Sequence, residues 1–142
     1  MKSITNYIKV SKTISTAGLP TKKQFKKIYK KGFEVVINLA VNNKDALKDE
    51  DKIVSDIGML YIHIPIDWKN PQHERLDFFL MILKQLQKDN KKVFIHCIMN
   101  YRVSVFMHKY KQKVLKQKNI EFIKPKKFKL KKAWQDIITK KL

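Results

Sequence analysis

The sequence predicts an α/β fold in which a mainly parallel central sheet is flanked by helices. Short β-branched apolar runs alternate along the chain with longer segments whose apolar residues recur at helical spacing. The 142 residues are 44% hydrophobic, which is enough for one domain with a buried core. The chain has no uninterrupted apolar run of about eighteen residues, so we expect no membrane span.

The first part of the chain predicts a strand, a turn and a helix. A short strand is expected at 7–10, followed by a turn in the stretch STAGLPT at 15–21. Thr21 can cap the helix that follows, and Gly32 can end it. The apolar face of this helix consists of Phe25, Ile28 and Tyr29.

The middle of the chain continues the alternation. The β-branched run FEVVINLA predicts a buried strand at 33–40. A polar loop and a short helix ending at Gly58 follow, and then a strand at 59–66. Asn70 can cap the next helix, with Pro71 at its first position. The inward-facing residues of that helix are Leu76, Phe79, Leu80, Leu83 and Leu86.

The last part of the chain predicts a third buried strand, a helix and a basic extension. The strand is expected at 91–97 and the helix at 102–118. The inward-facing residues of this helix are Val103, Phe106, Met107, Tyr110 and Val114. We therefore divide the chain into a domain at 1–120 and a basic extension at 121–142, which packs on the domain through Phe128 and Trp134 or trails from it.

The formal net charge of +20 is a weak indicator of function. Only two of the 32 basic residues, Arg75 and Arg102, are arginine, whereas nucleic-acid binders usually mix both types. The lysines are spread over nearly every segment, which is typical of a compositional bias rather than of a binding stripe. The charge still predicts nonspecific attraction of polyanions and acidic substrates.

The chain has the features of a cytoplasmic protein. Its first residues lack the continuous apolar core of a signal peptide, and its single cysteine cannot form an internal disulfide. The four histidines and Cys97 show no spacing typical of a metal site, so we expect neither metal nor cofactor.

The stretch VFIHCIMNYRVSVF carries the strongest chemical signal. Cys97 ends a predicted strand, and Arg102 begins the predicted helix after a short connection. In an open α/β sheet, ligands bind at such strand-to-helix turns, where backbone amides can form an anion nest. A cysteine thiolate at the rim of the nest can attack a phosphoryl group while an arginine holds two of its oxygens. The pair therefore predicts phosphoryl transfer through a phosphocysteine intermediate.

An acid is needed to protonate the leaving oxygen, and a base is needed later to activate water. Asp67 follows the strand predicted at 59–66, so it is expected at the same edge of the sheet as Cys97. Taken alone, Asp67 could equally be a turn residue, and a lone cysteine at the end of an apolar strand is usually a buried hydrophobe.

These residues resemble the cysteine-dependent protein tyrosine/dual-specificity phosphatase superfamily. The chain is similar, more narrowly, to a bacterial branch that includes the phosphatase-like domain of β-lactamase-hydrolase-like proteins. The matching pieces are STAGLPTKKQFKKIYKKGFEVVINLA, GMLYIHIPIDW and VFIHCIMNYRVSVF, in the order of the branch. Together they cover about residues 10–110. The resemblance implies a protein tyrosine phosphatase-like fold and phosphatase activity.

The resemblance also implies roles for individual residues. Cys97 takes the position of the nucleophile, Arg102 clamps the phosphate and Asp67 is the general acid. His96 orders the loop, and Ser104 supplies a hydroxyl that assists the thiolate as leaving group. The other residues expected to bind substrate or line the site are Trp68, Ile98, Met99, Asn100 and Tyr101.

The phosphate loop departs from the widespread pattern of the superfamily. Four residues separate Cys97 from Arg102, where five are usual, although the bacterial branch shares the short loop. Asn100 stands where a glycine usually permits an uncommon backbone angle, and asparagine is the side chain best able to replace it there.

Three functions follow from these observations. The first is hydrolysis of a phosphorylated protein or a small phosphomonoester. The second is a phosphate-binding module whose shortened loop binds without turnover. The third is lysine-driven binding of nucleic acid or acidic surfaces, centred on residues 124–132.

Overall fold

The computed structural model describes residues 1–139 and shows a five-stranded sheet with helices on both faces. The strands are β1 (Ile8–Lys9), β2 (Ile14–Ala17), β3 (Val35–Asn38), β4 (Leu60–His63) and β5 (Val93–His96). The helices are α1 (Lys22–Lys30), α2 (Glu50–Ile57), α3 (His73–Lys88), α4 (Tyr101–Lys113) and α5 (Lys132–Thr139).

The sheet is parallel except at one edge, which confirms the predicted fold class. The strand order is β1-β2-β5-β3-β4, and only β1 runs antiparallel to its neighbour. β5 lies in the centre, so His96 is in register with Ala17 on one side and with Asn38 on the other. The carboxyl ends of β2, β5, β3 and β4 therefore meet along one edge of the sheet.

Side chains alternate between the two faces of the sheet and build two separate hydrophobic layers. In β5, Val93 and Ile95 face the layer of α3, α4 and α5, whereas Phe94 faces the layer of α1 and α2. The same alternation holds in β3, where Ile37 and Val36 lie on opposite faces. The continuous apolar runs in the sequence reflect this burial on both sides.

The predicted caps of α1 are present. Thr21 accepts a hydrogen bond from the amide of Gln24, and the Gln24 side chain accepts one from the amide of Thr21, which is a capping box. Gly32 follows the helix with φ of 91°, a conformation that favours glycine.

The turn predicted at 15–21 is wrong in its first half. Residues Ile14–Ala17 form β2, which pairs with both β1 and β5. Ser15 and Thr16 are polar and the run is short, so local sequence indicates a turn, but pairing with two neighbours fixes it as a strand.

Two helix boundaries also differ from the prediction. α3 begins at His73 with Gln72 as its N-cap, rather than at Pro71 after an Asn70 cap. Gln72 has an extended backbone and its side chain accepts a hydrogen bond from the amide of Asp67, so the segment before it belongs to a loop. α4 ends at Lys113 instead of residue 118, because Lys116 has a positive φ of 54°.

The C-terminal segment packs on the outer helical layer as far as the structure describes it. Trp134 is fully buried and Phe128 is 2% exposed, and both belong to the same hydrophobic cluster as α3 and α4. The division of the chain at residue 120 stays a prediction. Residues 140–142 of the predicted extension lie outside the described residues.

No helix within residues 1–139 has both the length and the hydropathy needed to cross a bilayer.

Candidate active site

Cys97 directly follows the central strand, at the edge where the carboxyl ends of the parallel strands meet. It has no surface exposure of its own, yet it lines a cavity of about 260 Å³. The residues lining this cavity are Asn43, Asp45, Trp68, Cys97, Ile98, Met99, Tyr101 and Arg102. The structure therefore brings Cys97 and Arg102 together at one cavity, along with most of the loop between them.

The loop from Cys97 to Arg102 has the unpaired donors that an anion needs. Among residues 1–139, the backbone amides of Ile98, Met99, Tyr101 and Arg102 donate to no protein acceptor. The last two belong to the first turn of α4, where amides have no intrahelical partner and the helix dipole favours negative charge. These donors are free to bind the oxygens of a phosphoryl group.

Asn100 gives the loop its shape. It adopts the expected left-handed conformation, with φ of 66° and ψ of 16°. Its side-chain amide donates to the Asn6 carbonyl at 2.9 Å and to Thr16 Oγ1 at 3.1 Å. Its carbonyl accepts from the Ser104 hydroxyl at 2.6 Å. An asparagine thus fills the place of a glycine and also fastens the loop to β2 and α4.

The segments just before β1 and just after β2 both bond to the same loop. Leu19 N donates to the Ile98 carbonyl at 2.9 Å, and the Asn6 side chain donates to the Met99 carbonyl at 2.9 Å. A Cβ atom at Gly18 would lie 2.3 Å from the Ile98 carbonyl oxygen, so this close approach requires glycine. The carbonyls of the loop are therefore bonded outward, which leaves its amides for the cavity.

The Arg102 guanidinium is buried without a counter-charge. The residue is 9% exposed, and Nε has no hydrogen-bond partner within residues 1–139. No carboxylate among the described residues forms an ion pair with it, and Cζ lies 5.5 Å from the centre of the Trp68 ring. Burying an arginine without an anion is unfavourable, so a bound anion at the cavity would satisfy it.

Aromatic rings from the C-terminal segment hold the walls of the cavity. Trp134 Nε1 donates to the Trp68 carbonyl at 2.7 Å, and the two indole rings stack with centroids 5.2 Å apart. Tyr101, at the start of α4, stacks on Phe128 at 4.4 Å with an interplanar angle of 4°. Residues distant in sequence thus position both the loop that carries Asp67 and the phosphate loop.

Asp67 lies at the expected edge of the sheet but does not line the cavity. Its side chain is exposed, and Oδ1 accepts a hydrogen bond from the amide of Lys69 at 2.9 Å. Asp45, on the loop after β3, is the carboxylate that lines the cavity together with Cys97. Sequence reasoning missed Asp45 and Asn43. The available signal was their position just after a parallel strand, at the edge where ligands bind.

His96 contacts both Cys97 and a buried glutamate. Its Nδ1 donates to the Cys97 carbonyl at 2.9 Å, and its Nε2 lies 2.6 Å from Glu50 Oε2. His96 is fully buried and Glu50 is 5% exposed. These two contacts give His96 a physical means of ordering the loop, which is the role predicted for it. The sequence did not indicate that Glu50, at the start of α2, would be one of its partners.

The structure does not bring Ser104 together with Cys97. Its hydroxyl donates to the Asn100 carbonyl, and the residue lines a different cavity, which shares no lining residue with that of Cys97. Met99 is 41% exposed at the rim, as expected for a residue that could touch substrate.

The sequence was compared with known families and proteins. A family model described as "Polymorphic toxin system, DSP-PTPase phosphatase" matches residues 11–102, a span that ends at the arginine of the phosphate loop. No curated protein matches the sequence.

Solved structures with the same fold include several phosphatases. The chain is 34% identical to a DUF442 candidate phosphatase from Shewanella putrefaciens CN-32, with a TM-score of 0.88 over 97% of this chain and 91% of that one. The active form of Tk-PTP shares the fold at 16% identity, with a TM-score of 0.70 over 94% of this chain and 80% of that one. P. aeruginosa TpbA in complex with phosphotyrosine matches at 17% identity, with a TM-score of 0.62 over 79% and 65% of the two chains.

Proposed function

The chain belongs to the DSP-PTPase phosphatase family, and from this premise we propose that it hydrolyses phosphomonoesters through a phosphocysteine intermediate. The observation that carries the proposal is the cavity that Cys97 shares with an unpaired, buried Arg102. The substrate is a phosphorylated protein or a small phosphomonoester. A thiol nucleophile must stay reduced, which favours a cytoplasmic setting.

The first step is capture of the phosphoryl group. The free amides of the phosphate loop bind its oxygens, and the guanidinium of Arg102 holds two of them as a fork. Trp68 lies against Arg102 and keeps its position, because a planar guanidinium packs well over an aromatic face. Four residues between cysteine and arginine still provide four unpaired amides, counting that of Arg102 itself.

The second step is displacement at phosphorus. The Cys97 thiolate forms the S–P bond while the bond between phosphorus and the leaving oxygen breaks, and a carboxylic acid gives its proton to that oxygen. The same carboxylate then removes a proton from water, which attacks phosphorus, breaks the S–P bond and releases inorganic phosphate. We assign this acid to Asp67 on the strength of the family resemblance.

Assignment to Asp67 requires that its loop move toward the cavity when substrate binds. In the structure the Asp67 carboxylate is engaged by the amide of Lys69 and exposed, whereas Asp45 already lines the cavity. Comparison of Asp67→Asn with Asp45→Asn separates the two. We expect Asp67→Asn to lower kcat and to remove the decrease in kcat at high pH that comes from deprotonation of the general acid. We expect Asp45→Asn to change mainly KM.

Hydrolysis of p-nitrophenyl phosphate by the wild type and by Cys97→Ser tests the mechanism. We expect wild-type turnover and its loss in the variant, while inorganic phosphate still binds to both. Acid quenching of the wild type during turnover should trap a phosphorylated chain, detected by mass spectrometry on the peptide that contains Cys97. Turnover that survives in Cys97→Ser would exclude the thiolate mechanism.

A further inference from the structure

A second cavity lies beside the side chains that hold Asn100 in the phosphate loop. Its volume is about 250 Å³, and it lies between the β1–β2 edge of the sheet, α4 and the chain near Ile123. It shares no lining residue with the cavity that contains Cys97. The phosphate loop is therefore flanked by two separate spaces.

The second cavity is positively charged. Lys9 from β1 and Lys111 from α4 line it, and no carboxylate does. Two ammonium groups at one small opening repel each other, and an anionic ligand relieves that repulsion.

His108 adds an unsatisfied hydrogen-bonding group to this cavity. It lines the cavity, is 6% exposed, and its Nδ1 has no partner among the described residues. Its Nε2 lies 3.2 Å from Gln112 Nε2, which is a donor, so Nε2 accepts and the proton of the neutral ring is on Nδ1. Burial, with Lys111 and Lys109 nearby, lowers the pKa of His108 and keeps the ring neutral.

Most of the remaining lining is apolar. Four apolar residues line the cavity, namely Ile8, Val10, Met107 and Ile123, together with two hydroxyl residues, Thr16 and Ser104. A water molecule occupies about 30 Å³ in the liquid, so the space is suited to a ligand of a few to about ten heavy atoms.

We propose that this cavity binds a small monocarboxylate with an aromatic or branched apolar body. The carboxylate pairs with Lys9 and Lys111 and accepts a hydrogen bond from the His108 ring, and the apolar body packs against Ile8 and Met107. A phosphate ion could use the lysines but has no apolar part for these walls, and a polynucleotide strand is too large for a space of about 250 Å³.

Two residues connect this cavity with the phosphate loop. Thr16 and Ser104 both line it, and both hold Asn100, through Thr16 Oγ1 and the Ser104 hydroxyl. A ligand that shifts either side chain changes how Asn100 is held, and with it the amides that bind phosphate. The carboxylate is therefore a regulator of the first site. This coupling rests on the proposed function, whereas binding itself does not.

Titration of the full chain with sodium benzoate, followed by ¹H–¹⁵N NMR, tests the binding. We expect saturable shifts at the amides of Thr16, His108 and Lys111, and at least tenfold weaker binding in His108→Phe and Lys111→Ala. Lys113→Ala, on the same helix but outside the lining, should bind as the wild type does. Circular dichroism of each variant checks that it is folded.

Three outcomes would overturn the binding proposal. They are the absence of saturable shifts at the cavity, equal affinity in Lys111→Ala and Lys113→Ala, and shifts confined to the loop from Cys97 to Arg102. An Arg102→Ala variant identifies the last case, because it should keep benzoate binding at the second cavity and lose binding of inorganic phosphate.

The coupling is tested separately, with p-nitrophenyl phosphate as substrate. Saturating benzoate should change kcat or KM at least twofold in the wild type and leave Lys111→Ala unchanged. Unchanged kinetics in a chain that binds benzoate would overturn the coupling. In a chain without turnover, benzoate should instead shift the Kd for inorganic phosphate measured by calorimetry, and an unshifted Kd there would also overturn it. Failure of the proposed function is thus distinguishable from failure of this inference.

Discussion

Arg102 stands where a lysine-rich chain has most reason to avoid a cation, at the first turn of a helix and out of contact with any described carboxylate. The planar guanidinium lies over Trp68 and can offer two parallel donors to one anion. A lysine at this position would retain the charge but not the fork. Under the proposed function, arginine is therefore selected for the geometry of the bound phosphoryl group rather than for its charge alone.

We expect Arg102→Lys to lower kcat/KM for p-nitrophenyl phosphate by about 10²–10³-fold, the size typical of removing one preorganised donor from a developing oxyanion. Affinity for inorganic phosphate, measured by calorimetry, should fall as well.

Arg75→Lys is the matched control, since Arg75 is the other arginine of the chain. It makes a single hydrogen bond, from Nη1 to the Pro65 carbonyl, which a lysine can replace. Near-normal phosphate binding in Arg102→Lys would contradict the role of the fork.

His108 makes stability depend on pH. Burial lowers its pKa in the folded state, so between that pKa and the ordinary value of 6.5 the unfolded chain binds more protons. Stability is therefore fully present above about pH 6.5 and decreases as the pH falls below it. In urea denaturation we expect the difference in unfolding free energy between pH 8 and pH 5 to be smaller for His108→Phe than for the wild type. An equal difference in both proteins would count against this assignment.

The sequence allows Cys97 and Arg102 to be predicted as partners because they flank one short strand-to-helix turn, from the end of β5 to the start of α4. Asp45 and Glu50 could not be predicted in this way. Asp45 reaches the cavity through the path of a polar loop, and Glu50 meets His96 only because α2 packs beside the end of β5. The sequence places Asp45 on a loop after a parallel strand but does not show which residue of that loop reaches the cavity, and it gives no local signal for the contact between Glu50 and His96.

At the scale of elements, α5 acts as a support for the active-site loops. The hydrogen bond from Trp134 to the Trp68 carbonyl fixes the residue next to Asp67. We expect Trp134→Phe to cost about 1–3 kcal/mol of stability, because it leaves a carbonyl without its donor, and also to lower kcat.

Ile137→Val separates the two effects. Ile137 is 1% exposed on the same helix, and shortening it costs about 1 kcal/mol without touching Trp68. Thermal melts and kinetics of both variants are compared. If kcat falls equally in the two, the loss comes from general destabilisation and not from the position of the Asp67 loop.

Most helices and strands are predictable because the spacing of their apolar residues matches the faces that are buried in the fold. Strands such as Val93–His96 are apolar on both faces, and helices such as α1 carry their own caps. β2 and the start of α3 are not predictable in this way. β2 is held by its neighbours rather than by its composition, and the position of Gln72 depends on a hydrogen bond to a residue in the preceding loop.

At the scale of the whole molecule, the charge of +20 predicts weak, nonspecific binding of polyanions. The affinity for a single-stranded oligonucleotide should fall steeply with salt, and Arg102→Ala should not change it. Because the lysines are spread over the chain, replacing Lys126, Lys127 and Lys129 by glutamine should weaken binding about as much as replacing Lys22, Lys23 and Lys26. A much larger effect of the first set would point to a dedicated site in the C-terminal segment.

The contact between Trp134 and Trp68 has a consequence for biosynthesis. The ribosome makes Cys97 well before it makes the tryptophan that bonds to Trp68. A nascent chain that already contains Cys97 therefore cannot yet assemble the finished pocket. The pocket can form only after Trp134 has left the exit tunnel.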